Sequence, residues 1–322
     1  MDKISVLMAV YKEPLEWIKD AILSIKLQEN NGNFLIEIVL VLDDPDREKE
    51  MCDFLKEYDF KSDEFFSFVF ICNPQNVGHA ESLNKAFNAS SGNYIARLDA
   101  DDISYPERFI KQYDYLKKNN AIFVGAGITR IDALGSNIND VFVSNDLDFI
   151  KIKIFYSCVA FHSTWFMTRK AFCKVGGYLP YPDAEDFDFL LRLYENGIDI
   201  HNIPEPLVYY RVHMSSKSNK NELRQRKCKY YSLKQYNLRR GYLQHQFEID
   251  DMRKSIEISY FTDKTYKLSQ TVFNKAMSLR LQKKLTSTFF LLLISMLLSP
   301  WQAKHIYLQA KFYFLWWVYK SK

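Results

Sequence analysis

Four short apolar runs, at residues 4–10, 34–42, 65–72 and 94–98, alternate with helically spaced segments and constrain the fold more than any other feature. The segment 14–27 places Leu15, Ile18, Ile22 and Ile25 on one face. A second helix is predicted to open at Pro45, whose fixed φ suits a first helical turn. After Asn76-Val77-Gly78 a third carries Ala80, Leu83, Ala86 and Phe87. Strands separated by helices of ten to fifteen residues predict βαβ units, hence an α/β chain with a doubly wound, mostly parallel, Rossmann-like sheet. Ligands of such sheets bind at the carboxyl ends of the strands.

That rule collects two acidic groups at one edge. Asp43-Asp44 ends the second run, and Asp99-Ala100-Asp101-Asp102 ends the fourth. Three carboxylates within four residues repel, and each favours protonation unless a cation neutralises them. Mg2+ or Mn2+ suits the task, because a hard divalent ion takes oxygen ligands and keeps positions for water and substrate phosphates. Read alone, the cluster fits equally a solvated acidic turn, with Asp102 capping the next helix ahead of Pro106. The chain has neither Gly-x-Gly-x-x-Gly nor a P-loop, so a nucleotide would be held by carboxylates, a metal and backbone groups. An EF-hand is excluded: Ile103 follows where a ligand is needed, with no Gly and no twelfth-position Glu.

The net charge of +4 on 322 residues argues against a nucleic-acid partner. Basic residues gather after Lys217, at Arg224, Arg226, Lys227, Lys229, Arg239 and Arg240. Five scattered cysteines without a CxxC predict reduced thiols, not a disulfide framework or a zinc site. The amino terminus offers too short an apolar run for a signal peptide, so a first strand and a cytosolic front end are expected.

The motifs occur in a recognisable order: Ala9-Val10-Tyr11-Lys12, Val41-Leu42-Asp43-Asp44, Asn76-Val77-Gly78 with Leu83-Asn84-Lys85, Gly92-Asn93-Tyr94-Ile95-Ala96, and Leu98-Asp99-Ala100-Asp101-Asp102 with Pro106-Glu107-Arg108. Phe161-His162-Ser163-Thr164, Val175-Gly176-Gly177-Tyr178, Glu185-Asp186-Phe187-Asp188 with Leu191-Arg192, and Tyr210-Arg211-Val212-His213 with Ser216 continue the series. In this order they resemble the family 2 glycosyltransferases, inverting enzymes of the GT-A fold, over the first two-thirds of the chain. The resemblance implies that Asp101 ligates a metal on the nucleotide diphosphate, that Asp99 faces the ribose or the metal, and that His213 stands near the diphosphate as a further ligand. It implies a nucleotide-sugar site formed by Ala9, Tyr11, Glu13, Asp43, Asp44, Asn76, Gly78, Asn84, Asp99 and Ala100. Asp186 matches the general base, with Glu185 and Arg192 in support. Two departures bear on the nucleotide: Pro45-Asp46 stands where the family usually shows Gly-Ser, and Leu83 where many relatives carry Arg.

The chemistry asks for such groups independently. Expulsion of a nucleoside diphosphate needs its charge neutralised, and attack from the opposite face needs a base for the hydroxyl proton. Glu185-Asp186 also fits plain first-turn charge favoured by a helix dipole. His213 suits a structural role as well as ligation, and His162 is read as satisfying a loop. Two halves are expected in a catalytic domain 1–215, with nucleotide-sugar binding in 1–105 and the acceptor in 106–215. A basic helical extension 216–285 and an apolar, aromatic tail 286–322 follow. Residues 286–303 are uncharged but short for a span, and Lys311 interrupts 306–319. Trp316, Trp317, Tyr319 and Lys320 suit an interfacial anchor. A pair of buried helices would read alike.

The expected activity is transfer of one sugar, UDP-linked, to a glycan or polyprenyl-diphosphate-linked acceptor of a bacterial surface polysaccharide. The expected place is the cytoplasmic leaflet of the plasma membrane, held peripherally. A processive synthase is disfavoured, since Gln-x-x-Arg-Trp is absent. A sugar-phosphate nucleotidyltransferase would need a Gly-rich amino-terminal loop that residues 10–14 lack. A membrane-bound, non-catalytic nucleotide-sugar or glycan binding module would keep its function without Asp186.

Overall fold

The computed structural model describes residues 1–30, 32–58, 60, 62–213, 221–241 and 247–321. Ser216 of the motif series and the start of the basic segment, Lys217 to Lys220, lie outside the described residues. The chain forms two compact units, Met1–Ser216 and Lys217–Lys322.

In the first unit, β1 (Asp2–Val10), β2 (Phe34–Leu42), β3 (Phe66–Cys72) and β4 (Tyr94–Arg97) are parallel neighbours in the order β3-β2-β1-β4. Val10 pairs with Leu42 and Leu42 with Cys72, so these strands end together. From Ile4 onward every residue of β1 is buried, as a central strand covered on both faces requires. Alternation sends Ile4, Val6, Met8 and Val10 to one face, into a core shared with Ile18, Ala21, Ile22 and Ile25 of α1 (Leu15–Lys26). Met51 and Phe54 of α2 (Glu48–Glu57) join that core. Pro45 opens a 3-10 turn, Pro45–Arg47, immediately before α2. The other face is covered by α3 (His79–Ala89), whose Ala80, Leu83 and Ala86 are buried.

Beyond β4 the sheet becomes mixed. It adds β5 (Ile103–Ser104), β6 (Phe123–Ile131), β7 (Asn137–Val141), β8 (Phe166–Thr168) and β9 (His201–Arg211). The path continues β4-β8-β6-β9-β5, with β7 paired to β6. β8 is antiparallel to both β4 and β6, while β6 and β9 are parallel. The helices here are α4 (Arg108–Asn119), α5 (Leu147–Lys153), α6 (Arg169–Val175) and α7 (Glu185–Glu195). Asp146 caps α5, accepting the Asp148 and Phe149 N–H groups, and Thr168 caps α6.

The second unit is helical: α8 (Glu222–Gly241), α9 (Ile249–Ile256), α10 (Tyr260–Leu281), α11 (Leu285–Leu298) and α12 (Pro300–Lys320). Ser259 caps α10 through the Thr262 N–H, and Pro300 occupies the first turn of α12. Among the described residues, no helix is long and apolar enough to cross a membrane.

Candidate active site

Each parallel strand delivers one part of the site at its carboxyl end. After β1, the Tyr11 N–H donates to Glu13 Oε2 at 2.7 Å. Arg47 ties this loop to the next strand, donating to the Tyr11 carbonyl at 3.1 Å and the Glu13 carbonyl at 3.0 Å. Ala9 is buried beneath, and Tyr11 is exposed. After β2, Asp43 is buried; its Oδ1 accepts from Asn73 Nδ2 (2.7 Å) and the Val77 N–H (2.9 Å), and its Oδ2 from the Gly78 N–H (2.8 Å). Asn76 Nδ2 returns to the Asp43 carbonyl at 3.0 Å. Asp43 therefore holds the 76–78 turn in shape, and of the acidic pair Asp44 is the more exposed member. Gly78, at φ +91° and ψ 161°, stands where a side chain would be strained.

The acidic loop after β4 rests on arginines. Arg97 is buried, donates to the Leu7 carbonyl at 3.2 Å, and bonds both Asp99 Oδ1 and, at 2.8 Å, His79 Nε2. A guanidinium only donates, so Nε2 of His79 is the acceptor. Arg108 is fully buried, donates to the Arg97 carbonyl at 2.8 Å, and is pulled down to about 9 by its burial. Arg211 of β9 gives its N–H to Asp102 Oδ1 (2.8 Å) and its Nε to the Asp101 carbonyl (2.9 Å). This corrects the expectation for Asp102. The residue before α4 is Glu107, with no side-chain cap, whereas Asp102 is buried and fastens β9 to the loop. Burial, then the Asp101 and Asp99 charges, hold its carboxyl well above the usual range.

That fastening brings His213 over the loop. Its Nε2 lies 3.0 Å from Asp101 Oδ2, and its ring packs on Trp17 at 4.9 Å between centroids. Ala100 is buried between the two aspartates. Glu13 shares their field: burial first, then Asp101 and Asp99, push its carboxyl upward. The Asp99 N–H donates to Ser163 Oγ at 2.9 Å, joining the loop to the 3-10 turn His162–Thr164.

The opposite side is built on α7. Ala184, at φ +62°, turns the chain into the helix, and Glu185 and Asp186 occupy its first turn. Asp186 Oδ1 accepts the Phe187 N–H at 2.7 Å, while Oδ2 lies 3.3 Å from Cys158 Sγ. Glu185 is buried, its Oε1 3.9 Å from His79 Nε2, and the same nitrogen is 3.9 Å from Asp99 Oδ1. His79 thus spans from the acidic loop to the residue beside Asp186. One ligand atom each of His79, Asp99 and His162 lies within 4.8 Å of the others. Arg97 donates to two of the three, and His162 Nε2 is 2.7 Å from Tyr178 Oη, so the grouping reads as a hydrogen-bond network.

The sequence pattern described as Glycosyl transferase family 2 matches residues 5–175, and that of Glycosyl transferase family group 2 matches residues 94–320. The chain is a family 2 glycosyltransferase. An uncharacterised glycosyltransferase of Methanocaldococcus jannaschii is 33% identical over 239 residues, 73% of this chain and 80% of that one. An O-antigen biosynthesis glycosyltransferase, WbnJ of Escherichia coli, is 32% identical over 238 residues, 73% of this chain and 89% of that one. The glycosyltransferase also shares its GT-A-like fold with residues 1–349 of S. aureus TarS, solved with UDP-GlcNAc: TM-score 0.55 at 13% identity, covering 79% of this chain and 70% of that one. It spans 42% of a longer TarS structure.

Two residues of the expected set, Asn84 and the supporting Arg192, have scaffold partners. Asn84 faces Tyr178: its Oδ1 accepts the Tyr178 N–H and its Nδ2 donates to the Tyr178 carbonyl, each at 2.9 Å. Arg192 is paired to Asp188 at 2.7 Å and donates to the Val175 and Gly177 carbonyls. Both hold the glycine turn before Tyr178, where Gly177 has φ +74° and an added Cβ would lie 2.7 Å from Asn84 Oδ1. Asn84→Ala is therefore expected to cost about 1–3 kcal/mol of stability, by leaving the Tyr178 amide and carbonyl unpaired. Urea unfolding measures this, and a midpoint equal to wild type would count against the clamp.

Sequence reasoning missed His79, Arg97 and Arg47. Arg97 had a signal: a charge inside the apolar run 94–98, two residues before Asp99, must find a partner when buried. His79 had only its position after the Gly78 turn, with nothing local to announce Asp99 or Glu185.

Proposed function

We propose that the enzyme is an inverting, divalent-metal-dependent transferase that moves one sugar from a UDP-sugar to a glycan acceptor on a polyprenyl-diphosphate carrier, in assembly of a bacterial surface polysaccharide. The observation that carries this reading is the chain of groups from His213 and Asp101, through Asp99 and His79, to Glu185 and Asp186. It supports reading Asp101 as a metal anchor and Asp186 as a candidate base. The name of the E. coli relative and the UDP-GlcNAc complex of the S. aureus fold neighbour support the pathway and the donor. The lipid-linked carrier rests on the apolar carboxyl-terminal helices.

Asp101 and His213 fit Mg2+ or Mn2+, with Asp99 and Glu13 beside them. The donor set is hard oxygen with one imidazole, and the Glu13 carboxyl, raised first by burial and then by the Asp101 and Asp99 charges, lies in the same acidic group. When bound, the ion supplies Lewis-acid neutralisation of the departing diphosphate. Asp44 is the acidic residue proposed to meet base or ribose, and the 76–78 turn held by Asp43 shapes that end of the pocket. Asp186 takes the proton of the acceptor hydroxyl. The acceptor oxygen then bonds the anomeric carbon as the bond to the diphosphate oxygen breaks, and the electron pair leaves with UDP. Attack opposite the leaving group inverts the centre.

A screen of nucleotide-sugars by thermal stabilisation tests the reading. One UDP-sugar, with Mn2+ or Mg2+, is expected to raise Tm by an amount equivalent to about 2.7 kcal/mol at a hundredfold excess over Kd. Equal stabilisation in chelator removes the metal, and stabilisation by other nucleotides alone removes UDP.

A further inference from the structure

Helix α11 is packed inside out. Its buried positions are the small, polar Thr288 and Ser295, whereas Phe289, Phe290, Leu293 and Leu297 are 66%, 64%, 43% and 86% exposed. Spacings of three and four residues put those four on one stripe. Against α10 the contact is made by small groups: Ser269 Oγ donates to the Ser295 carbonyl at 2.8 Å, and Ser295 Oγ to the Ser269 carbonyl at 2.9 Å. In water the arrangement runs against the hydrophobic effect, which favours burying the Phe and Leu side chains. In lipid it is the expected one, since small residues allow close approach and interhelical hydrogen bonds while large apolar side chains face the acyl chains.

Charge points to the same occupant. From Lys264 to Lys322 the chain holds ten Lys and Arg and not one Asp or Glu. Lys283 and Lys284 directly precede α11 and are exposed. On α12, exposed Tyr313, Phe314, Trp317 and Tyr319 are flanked by Lys311 and Lys320, the mixture that settles at a headgroup boundary. At about 1.5 Å per residue, the 14 residues of α11 fall short of the ~30 Å hydrocarbon layer.

We infer that the second unit seats on an anionic lipid surface, with the Phe289–Leu297 stripe among the acyl chains, the end of α12 at headgroup level, and no helix of its described residues crossing. This deepens the proposed function by giving the lipid surface on which its acceptor would be met, yet it stands or falls separately from the transfer chemistry. The test is flotation of the full chain with phosphatidylcholine vesicles, with and without phosphatidylglycerol. The wild type is expected to float with anionic vesicles and far less with neutral ones. Phe289→Asp with Leu293→Asp should lower partitioning roughly a hundredfold, and Lys283→Glu with Lys284→Glu roughly tenfold on anionic vesicles alone. Circular dichroism and UDP-sugar stabilisation should match wild type in both variants, separating loss of the surface from loss of fold or donor binding. Failure of the wild type to float, or equal flotation of the Asp variant, overturns the inference. So does a dimer that the Asp variant splits in the absence of lipid, which would assign the stripe to a second copy.

Discussion

Asp101→Ala is expected to lower kcat/KM by about a thousandfold or more, the scale of a lost metal-held charge on a departing diphosphate. The size follows from what the neighbours are doing. Asp99 is held by Arg97, and Asp102 is buried with its Oδ1 on the Arg211 N–H, so neither stands ready to replace the carboxylate that meets His213. Loss of Asp101 removes the carboxylate 3.0 Å from His213 Nε2 and, with it, the group proposed to anchor the metal on the diphosphate. UDP release under a Mn2+ titration checks this: the variant should need far more metal for whatever turnover remains. Turnover at the wild-type rate, with the same metal dependence, would take the metal away from Asp101.

Asp186→Asn is expected to keep donor binding and to lower kcat by about two to four orders of magnitude, the usual worth of a positioned base. The amide keeps an oxygen for the Phe187 N–H, so the first turn of α7 retains its shape while the carboxylate proposed to accept the proton is lost. Donor affinity should hold because Glu185 and His79, which link the start of α7 to the acidic loop, are unchanged. Isothermal titration with UDP-sugar, run beside initial rates, separates the two quantities. A variant that loses affinity and rate together would make Asp186 a donor contact, and one with full activity would move the base elsewhere.

Much of this was legible in the residues. β2 occupies Phe34–Leu42, the second apolar run, and β1 agrees with its run to within two residues, because a central strand buried on both faces is apolar almost throughout, while the half-buried edge strand β3 begins one residue after its run. The acidic loop was legible as a site for a similar reason: β4 ends within one residue of its apolar run, and the sheet class says which end binds. The mixed half was harder, since β8 has three residues and β5 two, too few to show a period.

What the sequence determined by itself is the alternation of strand and helix, the acidic groups at one edge and the family to which they belong, because periodicity and strand ends are local properties of the chain. What only the tertiary structure decided is the division of labour among those groups. Asp43 went to the 76–78 turn, Asp99 to Arg97, Asp102 to β9 and Asn84 to Tyr178, each through partners 35 to 109 residues away or hidden inside a strand. The same holds for α11: its composition is plain in the sequence, but only packing reveals that Thr288 and Ser295 face inward and the phenylalanines out. A carboxylate's role is set by the donors that surround it, and those donors arrive only when distant segments meet.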